Sequence, residues 1–186
     1  VDEIKRIAII GNGGGGKTTI ARALAKKYNL PLIHVDSIQY LAGMKVRDIK
    51  ETTNILNQHA DEEFWLIDGF GSLEVMTQRF HRADKIIFVD FPIWRHYFWC
   101  TKRQIKSAWA PRTELPEGCN EATLSYSLKL FKIIWRVHTK IRPKLASLFD
   151  QADMKDKVVH VTTMAQWNLI FSGVIPTKPD PLLNAF

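Results

Sequence analysis

The sequence predicts an α/β domain built around a buried, five-stranded parallel sheet, and three observations carry that expectation. Five short runs are apolar throughout and rich in β-branched residues, as strands covered on both faces must be. The segments between them repeat apolar residues at helical spacing. The chain has 186 residues, 46% hydrophobic and 24% charged, enough apolar material for one sizeable core.

The elements follow in order. Lys5–Ile10 (KRIAII) is the first strand and stops at Gly11. GNGGGGKTT follows, then a helix in which Ile20, Leu24 and Tyr28 share a face. Leu30–Val35 (LPLIHV) is the second strand, ending at Asp36, and Asp48–Ala60 is a helix. Phe64–Ile67 (FWLI) runs into Asp68-Gly69, and Lys85–Val89 (KIIFV) into Asp90-Phe91-Pro92. Helices are expected over Ile93–Lys106 and Glu121–Asp150, the second kinked at Pro143. Ser107–Asn120, with Pro, Gly and no periodicity, reads as a mobile loop between them. Lys157–Val161 (KVVHV) is the fifth strand, and Met164–Phe171 the last helix. Residues 1–175 form one domain in this reading, with 93–150 as an inserted region and 176–186 as an extended, Pro-rich tail. Ligands of such sheets bind beyond the carboxyl ends of the strands. Those ends carry the Gly-rich loop, Asp36, Asp68 and Asp90.

The strongest chemical signal is the loop itself. Gly11-Asn12-Gly13-Gly14-Gly15-Gly16-Lys17-Thr18 fits G-x-x-x-x-G-K-[ST] between a strand and a helix. Five of the ten glycines in the chain lie in this loop, where backbone N–H groups must curl around phosphate oxygens. The following helix, opening at Lys17-Thr18-Thr19, points its positive end at the same place. Lys17 would reach the β- and γ-phosphates of ATP, and the Thr18 hydroxyl would ligate Mg²⁺.

Charge is as localised as glycine. The chain carries +7, from 26 Lys and Arg against 19 Asp and Glu, a balance that admits nucleic acid, an anionic membrane surface or a small polyanion such as a nucleotide as partner. Ile93–Asp150 holds 11 basic and four acidic residues, so the whole excess sits there. Lys129, Lys132, Arg136, Lys140 and Lys144 form a basic row at helical spacing. It reads as a solvated helix face, as a closure over triphosphate, or as contact with a nucleic-acid backbone. Nucleic acid ranks behind a nucleotide as partner, because no DNA-binding module is recognisable. No apolar run approaches the ~18–20 residues needed to cross a bilayer, so no membrane partner is expected, and no signal peptide is indicated. Cys100 and Cys119 read as free thiols, and the expected compartment is the cytoplasm.

In combination, KRIAIIGNGGGGKTT, HVDSIQYLAG, WLIDGFGS, QRFHRADKIIFVDFP, PRTELPEGC and IRPKL resemble the adenylate-kinase and shikimate-kinase group of small P-loop kinases. More narrowly, they are similar to bacterial adenylate-kinase-related proteins labelled DNA topology modulation proteins. The resemblance implies a P-loop NTPase three-layer sandwich of strand order 2-3-1-4-5, with an acceptor region after strand two and a helical lid after strand four. It assigns Asp68 to Mg²⁺ through water, Asp36 to the acceptor, and Arg103 to the transferring phosphoryl group. Arg112, Arg136 and Arg142 join Arg103 as lid cations, and Arg47 and Arg79 are candidates for an acceptor anion. Trp99 stands where a further lid arginine is often found, leaving that charge to Arg95 or Lys102. Asp68-Gly69-Phe70-Gly71 lacks the Pro-Arg of true adenylate kinases, which argues against AMP. The implied function is a kinase moving the γ-phosphoryl of Mg-ATP to a nucleoside monophosphate-like or other small acceptor; the alternative is a regulatory NTPase associated with DNA. Trp109 could cover a bound base, whereas His34 and His160, inside apolar strands, read as core residues.

Overall fold

The computed structural model describes residues 3–71, 73–107 and 124–176. In chain order the elements are β1 (Arg6–Gly11), α1 (Lys17–Tyr28), β2 (Leu32–His34), α2 (Val35–Gln39), β3 (Tyr40–Leu41), β4 (Lys45–Val46), α3 (Ile49–Asp61), β5 (Trp65–Asp68), α4 (Leu73–Arg82), β6 (Lys85–Val89), α5 (Ile93–Ser107), α6 (Leu124–Arg136), α7 (Arg142–Phe149), α8 (Ala152–Lys155), β7 (Val158–Val161) and α9 (Met164–Phe171).

The central sheet runs β2-β5-β1-β6-β7, and all four pairings are parallel. Counting only its own strands, this is the order 2-3-1-4-5. Alternation along β1 divides the core: Ile7 and Ile9 face α1 and α9 through Ile20, Leu24 and Ile170. Ala8 and Ile10 face Leu56, Phe80, Leu145 and Phe149 on α3, α4 and α7. A sheet buried on both sides between helices is the three-layer α/β arrangement that the wholly apolar strands require. Register then sets the site: His34 pairs with Asp68, Asp68 with Ile9, and Gly11 with Val89. The chain therefore leaves β1, β2 and β5 at one level, and the loops that follow crowd together.

The structure departs from the sequence reading, or refines it, in four places. Val35 opens α2 instead of ending a strand, and the β3–β4 hairpin follows it. The strands of that region, two or three residues each, are too short to show a periodic signature. Helix α4 was not anticipated, and Arg79, Phe80 and Val75 on it are buried. The long helix expected over Glu121–Asp150 is helical without a break over its described residues 124–149, and its kink at Pro143 takes the form of a π-helical turn at Val137–Ile141, closed by Arg142 N–H to the Val137 carbonyl. Pro143 sits in the first turn of α7; lacking an N–H, it cannot complete the ladder to the preceding turn, and the chain takes this up by widening there. The expected loop over Ser107–Asn120 and the tail beyond Pro176 lie outside the described residues. No helix among the described residues is long and apolar enough to cross a membrane.

Candidate functional site

The loop between β1 and α1 is held from outside by side chains that grip its carbonyls. Lys17 Nζ donates to the Asn12 carbonyl at 2.8 Å, His96 Nδ1 to that of Gly13 at 2.8 Å, and Trp167 Nε1 to that of Gly15 at 3.2 Å. Fixing those carbonyls fixes the peptide planes. Asn12 is itself buried: its Oδ1 accepts from Gly13 N–H at 2.8 Å, and its Nδ2 donates to the Ile134 carbonyl on α6 at 2.9 Å. Gly14 has φ +78°, and a Cβ there would lie 2.9 Å from both Cys100 Sγ and the His96 carbonyl, so α5 presses directly on the loop. Helix α1 opens after Gly16 with no side-chain cap and no acidic residue in its first turn. Its leading N–H groups are thus left to an anion. Burial draws the Lys17 ammonium below its ordinary pKa, an effect strengthened by Arg103 and opposed by the Asp68 and Asp36 carboxylates.

His96 was not singled out by sequence reasoning, because nothing around it marks a site. It is 1% exposed, and burial lowers its pKa from 6.5 to about 4, so it is neutral when it donates to Gly13. Below pH 6.5 the unfolded chain takes up a proton that the native imidazole refuses until about pH 4. Stability therefore falls as pH drops through that window. Urea unfolding at pH 7 and pH 4.5 is expected to show a loss that His96→Gln reduces by about 2–3 kcal/mol.

Asp68, at the end of β5, faces the mouth of α1. Thr18 Oγ1 donates to its Oδ2 at 2.8 Å, and His34 Nδ1 lies 3.3 Å from the same oxygen. Burial alone would raise the Asp68 pKa, but the His34 hydrogen bond, the Lys17 charge and the Thr18 hydroxyl hold it below the usual carboxylate value. Its Oδ1 is buried and makes no hydrogen bond. Beneath it, buried Arg79 donates from Nη2 to the Gly69 and Phe70 carbonyls at 2.8 and 3.1 Å, its pKa drawn down by burial to about 10. It braces the turn after β5 from below.

Much of the loop, with Lys17, Thr18, His34 and Asp68, lines one cavity of about 160 Å³. Its floor is Gly11, Asn12, Gly13, Gly14, Lys17 and Thr18. From there it passes Asp68 and Gly69 to His34, Asp36, Tyr40 and Phe70, and Arg103, Leu130, Ile133, Ile134 and Val137 bound its remaining side. Most of the residues expected from sequence meet here. Gly15 and Gly16 complete the loop without lining the cavity, and Thr19 is exposed on α1.

Several expected cations are elsewhere. Arg136 is exposed on α6 and does not line the cavity. Arg142 pairs with Asp90 (2.7 and 3.0 Å), which also bonds His160 at 2.9 Å, so this arginine serves a half-buried ion cluster behind the loop. Arg47 is tied to the Ile38 carbonyl and Glu51. Arg95 lies over the rings of Phe91, Trp94 and Trp99 at 5.2–5.3 Å, and Lys102 is exposed, so neither fills the place Trp99 leaves. Arg112 and Trp109 fall outside the described residues. His34 corrects the sequence reading in the other direction: it borders the cavity and bonds Asp68. Its position two residues before Asp36 at a strand end was a usable signal.

The fold is that of the kinase-like P-loop NTPases. Residues 1–90 match the family model described as Novel STAND NTPase 3. No curated protein sequence matches the chain. Among solved structures, the shikimate kinase of Bacteroides thetaiotaomicron shares the fold, with a TM-score of 0.51 at 16% identity over 91% of this chain and 95% of that one. Shikimate kinase from Acinetobacter baumannii, in complex with shikimate, gives 0.45 at 15% identity over 80% and 96%. That of Aquifex aeolicus gives 0.41 at 20% over 77% and 95%.

Proposed function

We propose that this chain is a small-molecule kinase that transfers the γ-phosphoryl group of Mg-ATP to a nucleoside monophosphate-like or other small acceptor in the cytoplasm. One observation carries the reading: the loop that would cradle the phosphates and the half-buried Asp36 open into the same cavity. A phosphate donor and an acceptor held there would meet over Lys17 and Thr18. The N–H groups of the loop and α1, together with Lys17, bind the triphosphate. Arg103, joined by Arg112 from the segment beyond it, neutralises charge on the transferring group. Asp36 orients the acceptor. The orphaned Oδ1 of Asp68, beside a Thr18 hydroxyl whose lone pairs are free because it donates to Oδ2, fits a hydrated cation. Mg²⁺ bound there would neutralise the β- and γ-phosphates.

The experiment is steady-state ADP formation from Mg-ATP with and without a panel of nucleoside monophosphates, nucleosides and hydroxyl metabolites. Wild type is expected to accelerate with one acceptor class. Asp36→Asn is expected to lower that acceptor-dependent kcat by ~10²-fold while leaving KM for ATP near its wild-type value. A variant that turns over as wild type removes Asp36 from the mechanism.

The match of residues 1–90 to an NTPase model supports nucleotide hydrolysis in its own right, and with the basic excess of the sequence it leaves a second reading, a nucleotide-binding regulatory NTPase associated with DNA. It requires ATP hydrolysis indifferent to every acceptor and duplex binding that weakens with salt at a log–log slope near −0.9 per phosphate contacted.

A further inference from the structure

Helices α5 and α6 carry an apolar surface that the site does not use. Tyr97 meets Phe131 edge-on at 5.4 Å, and Ser127 Oγ donates to Gln104 Oε1 at 3.2 Å, so the pair is antiparallel. That register sets Trp94 opposite Trp135 and Ile105 opposite the turn of Leu128. On α5, Trp94, Phe98 and Ile105 fall within an arc of about 40°, and on α6, Leu128 and Trp135 within about 20°. Around each helix the order is the same: contact with the Gly loop, contact with the other helix, then the apolar stripe. His96 and Cys100, then Tyr97 and Gln104, precede the stripe on α5. Ile134, then Ser127 and Phe131, precede it on α6. Both stripes therefore face away from the cavity and flank one seam. Trp94, Phe98, Ile105, Leu128 and Trp135 are each more than half exposed, at 54–61%.

Charge says what covers this face. Residues 93–107 and 124–149 contain ten Lys and Arg and no Asp or Glu. Lys102, Lys106, Lys129, Lys132 and Arg136, all exposed, follow the stripes on the outer flanks. A second copy of the chain would bring the same lysines against these, and like charges oppose that pairing. A polynucleotide offers phosphate but no hydrocarbon for Ile105 and Leu128. An anionic bilayer surface offers both, with indole rings at the headgroup boundary and lysine stems reaching outward to lipid phosphate.

We infer that the outer face of α5 and α6 docks reversibly on an anionic membrane surface, lying on it without crossing it. This departs from the sequence expectation of no membrane partner, which rested on the absence of a spanning segment. The attachment would hold the Gly loop and its cavity away from the lipid.

The test is flotation of the full chain with vesicles of phosphatidylcholine alone or mixed with phosphatidylserine. Binding to the mixed vesicles is expected, with a blue shift of tryptophan emission, about tenfold or more tighter than to phosphatidylcholine and weakening as salt rises. Trp94→Ser with Trp135→Ser is expected to cut that affinity about tenfold, and Lys102→Glu with Lys132→Glu to do so independently. Both pairs are exposed, so circular dichroism and melting temperature are expected to stay at wild-type values. Absence of flotation with phosphatidylserine, or wild-type binding by both variant pairs, overturns the inference. So does a concentration-dependent dimer that the tryptophan pair dissolves without any vesicle binding, which assigns the face to a second copy. Capture of single-stranded oligonucleotide, lost in the same variants while vesicles are ignored, assigns it to a polynucleotide.

Discussion

Lys17→Met is expected to lower kcat/KM for ATP by ~10²–10³-fold while leaving the protein as stable as wild type or slightly more so. Both halves follow from the same geometry. The ammonium group is the cation nearest the loop, held over the Asn12 carbonyl and within reach of Asp68 and Asp36. Removing it takes away the charge that would follow the β- and γ-phosphates through transfer. Its burial, however, disfavours the charged form, and methionine has a similar length with no desolvation cost to meet. Lys17→Arg is not expected to rescue turnover, because a planar guanidinium cannot take the place of a point charge beneath a backbone cradle. Steady-state kinetics and differential scanning calorimetry read the two halves separately. Wild-type turnover by the methionine variant would remove the loop from the chemistry.

Gly11→Ala is expected to unfold the chain at markedly lower temperature. Gly11 has φ +144°, and a Cβ there would lie 2.2 Å from the Val89 carbonyl oxygen and 3.0 Å from its carbonyl carbon. The obstruction is the backbone of β6, paired in register with Gly11 itself, and not a side chain that could swing away. Strain at the residue and displacement of the strand together cost about 2–5 kcal/mol. For a chain of this size that is a fall in Tm of about 5–15 °C. Gly13→Ala is the control: its nearest neighbours, Cys100 Sγ and Ile134 Cγ1, would lie at 3.6 Å, ordinary contact. It is expected to melt within a few degrees of wild type. Equal stability of the two variants would contradict the strained turn at the end of β1.

The parallel sheet was legible because burial on both faces leaves a strand nothing but apolar residues, as in Ile7–Ile10 and Ile86–Val89. The loop was legible because a phosphate cradle needs glycine where a Cβ meets backbone, as at Gly11 and Gly14. What stayed hidden depends on distant partners. His96 gains its role only because α5 lies against Gly13, and Trp167 only because α9 packs beside Gly15, 152 residues away in sequence. Arg142 looked like a lid cation until Asp90 and His160 were brought beside it. Helical spacing placed Arg136 in a basic row but could not tell which flank of α6 meets the cavity; the register against α5 and the Gly loop sets Ile134 inward and Arg136 outward. The basic excess first read as a device for the nucleotide. Only Arg103 of the described lid cations lines the cavity; Arg142 serves Asp90, and Lys102, Lys106, Lys129, Lys132 and Arg136 lie exposed on the outer flanks of α5 and α6.

A donor and an acceptor held in one cavity would exchange a phosphoryl group without releasing it to water, which label transfer detects. The full chain is incubated with Mg²⁺, γ-phosphate-labelled ATP and the acceptor panel, and the products are separated by mass. Label is expected on one small acceptor in equal amount to the ADP formed, and none from Lys17→Met. Label appearing solely as inorganic phosphate, at a rate unchanged by every acceptor, would contradict that transfer.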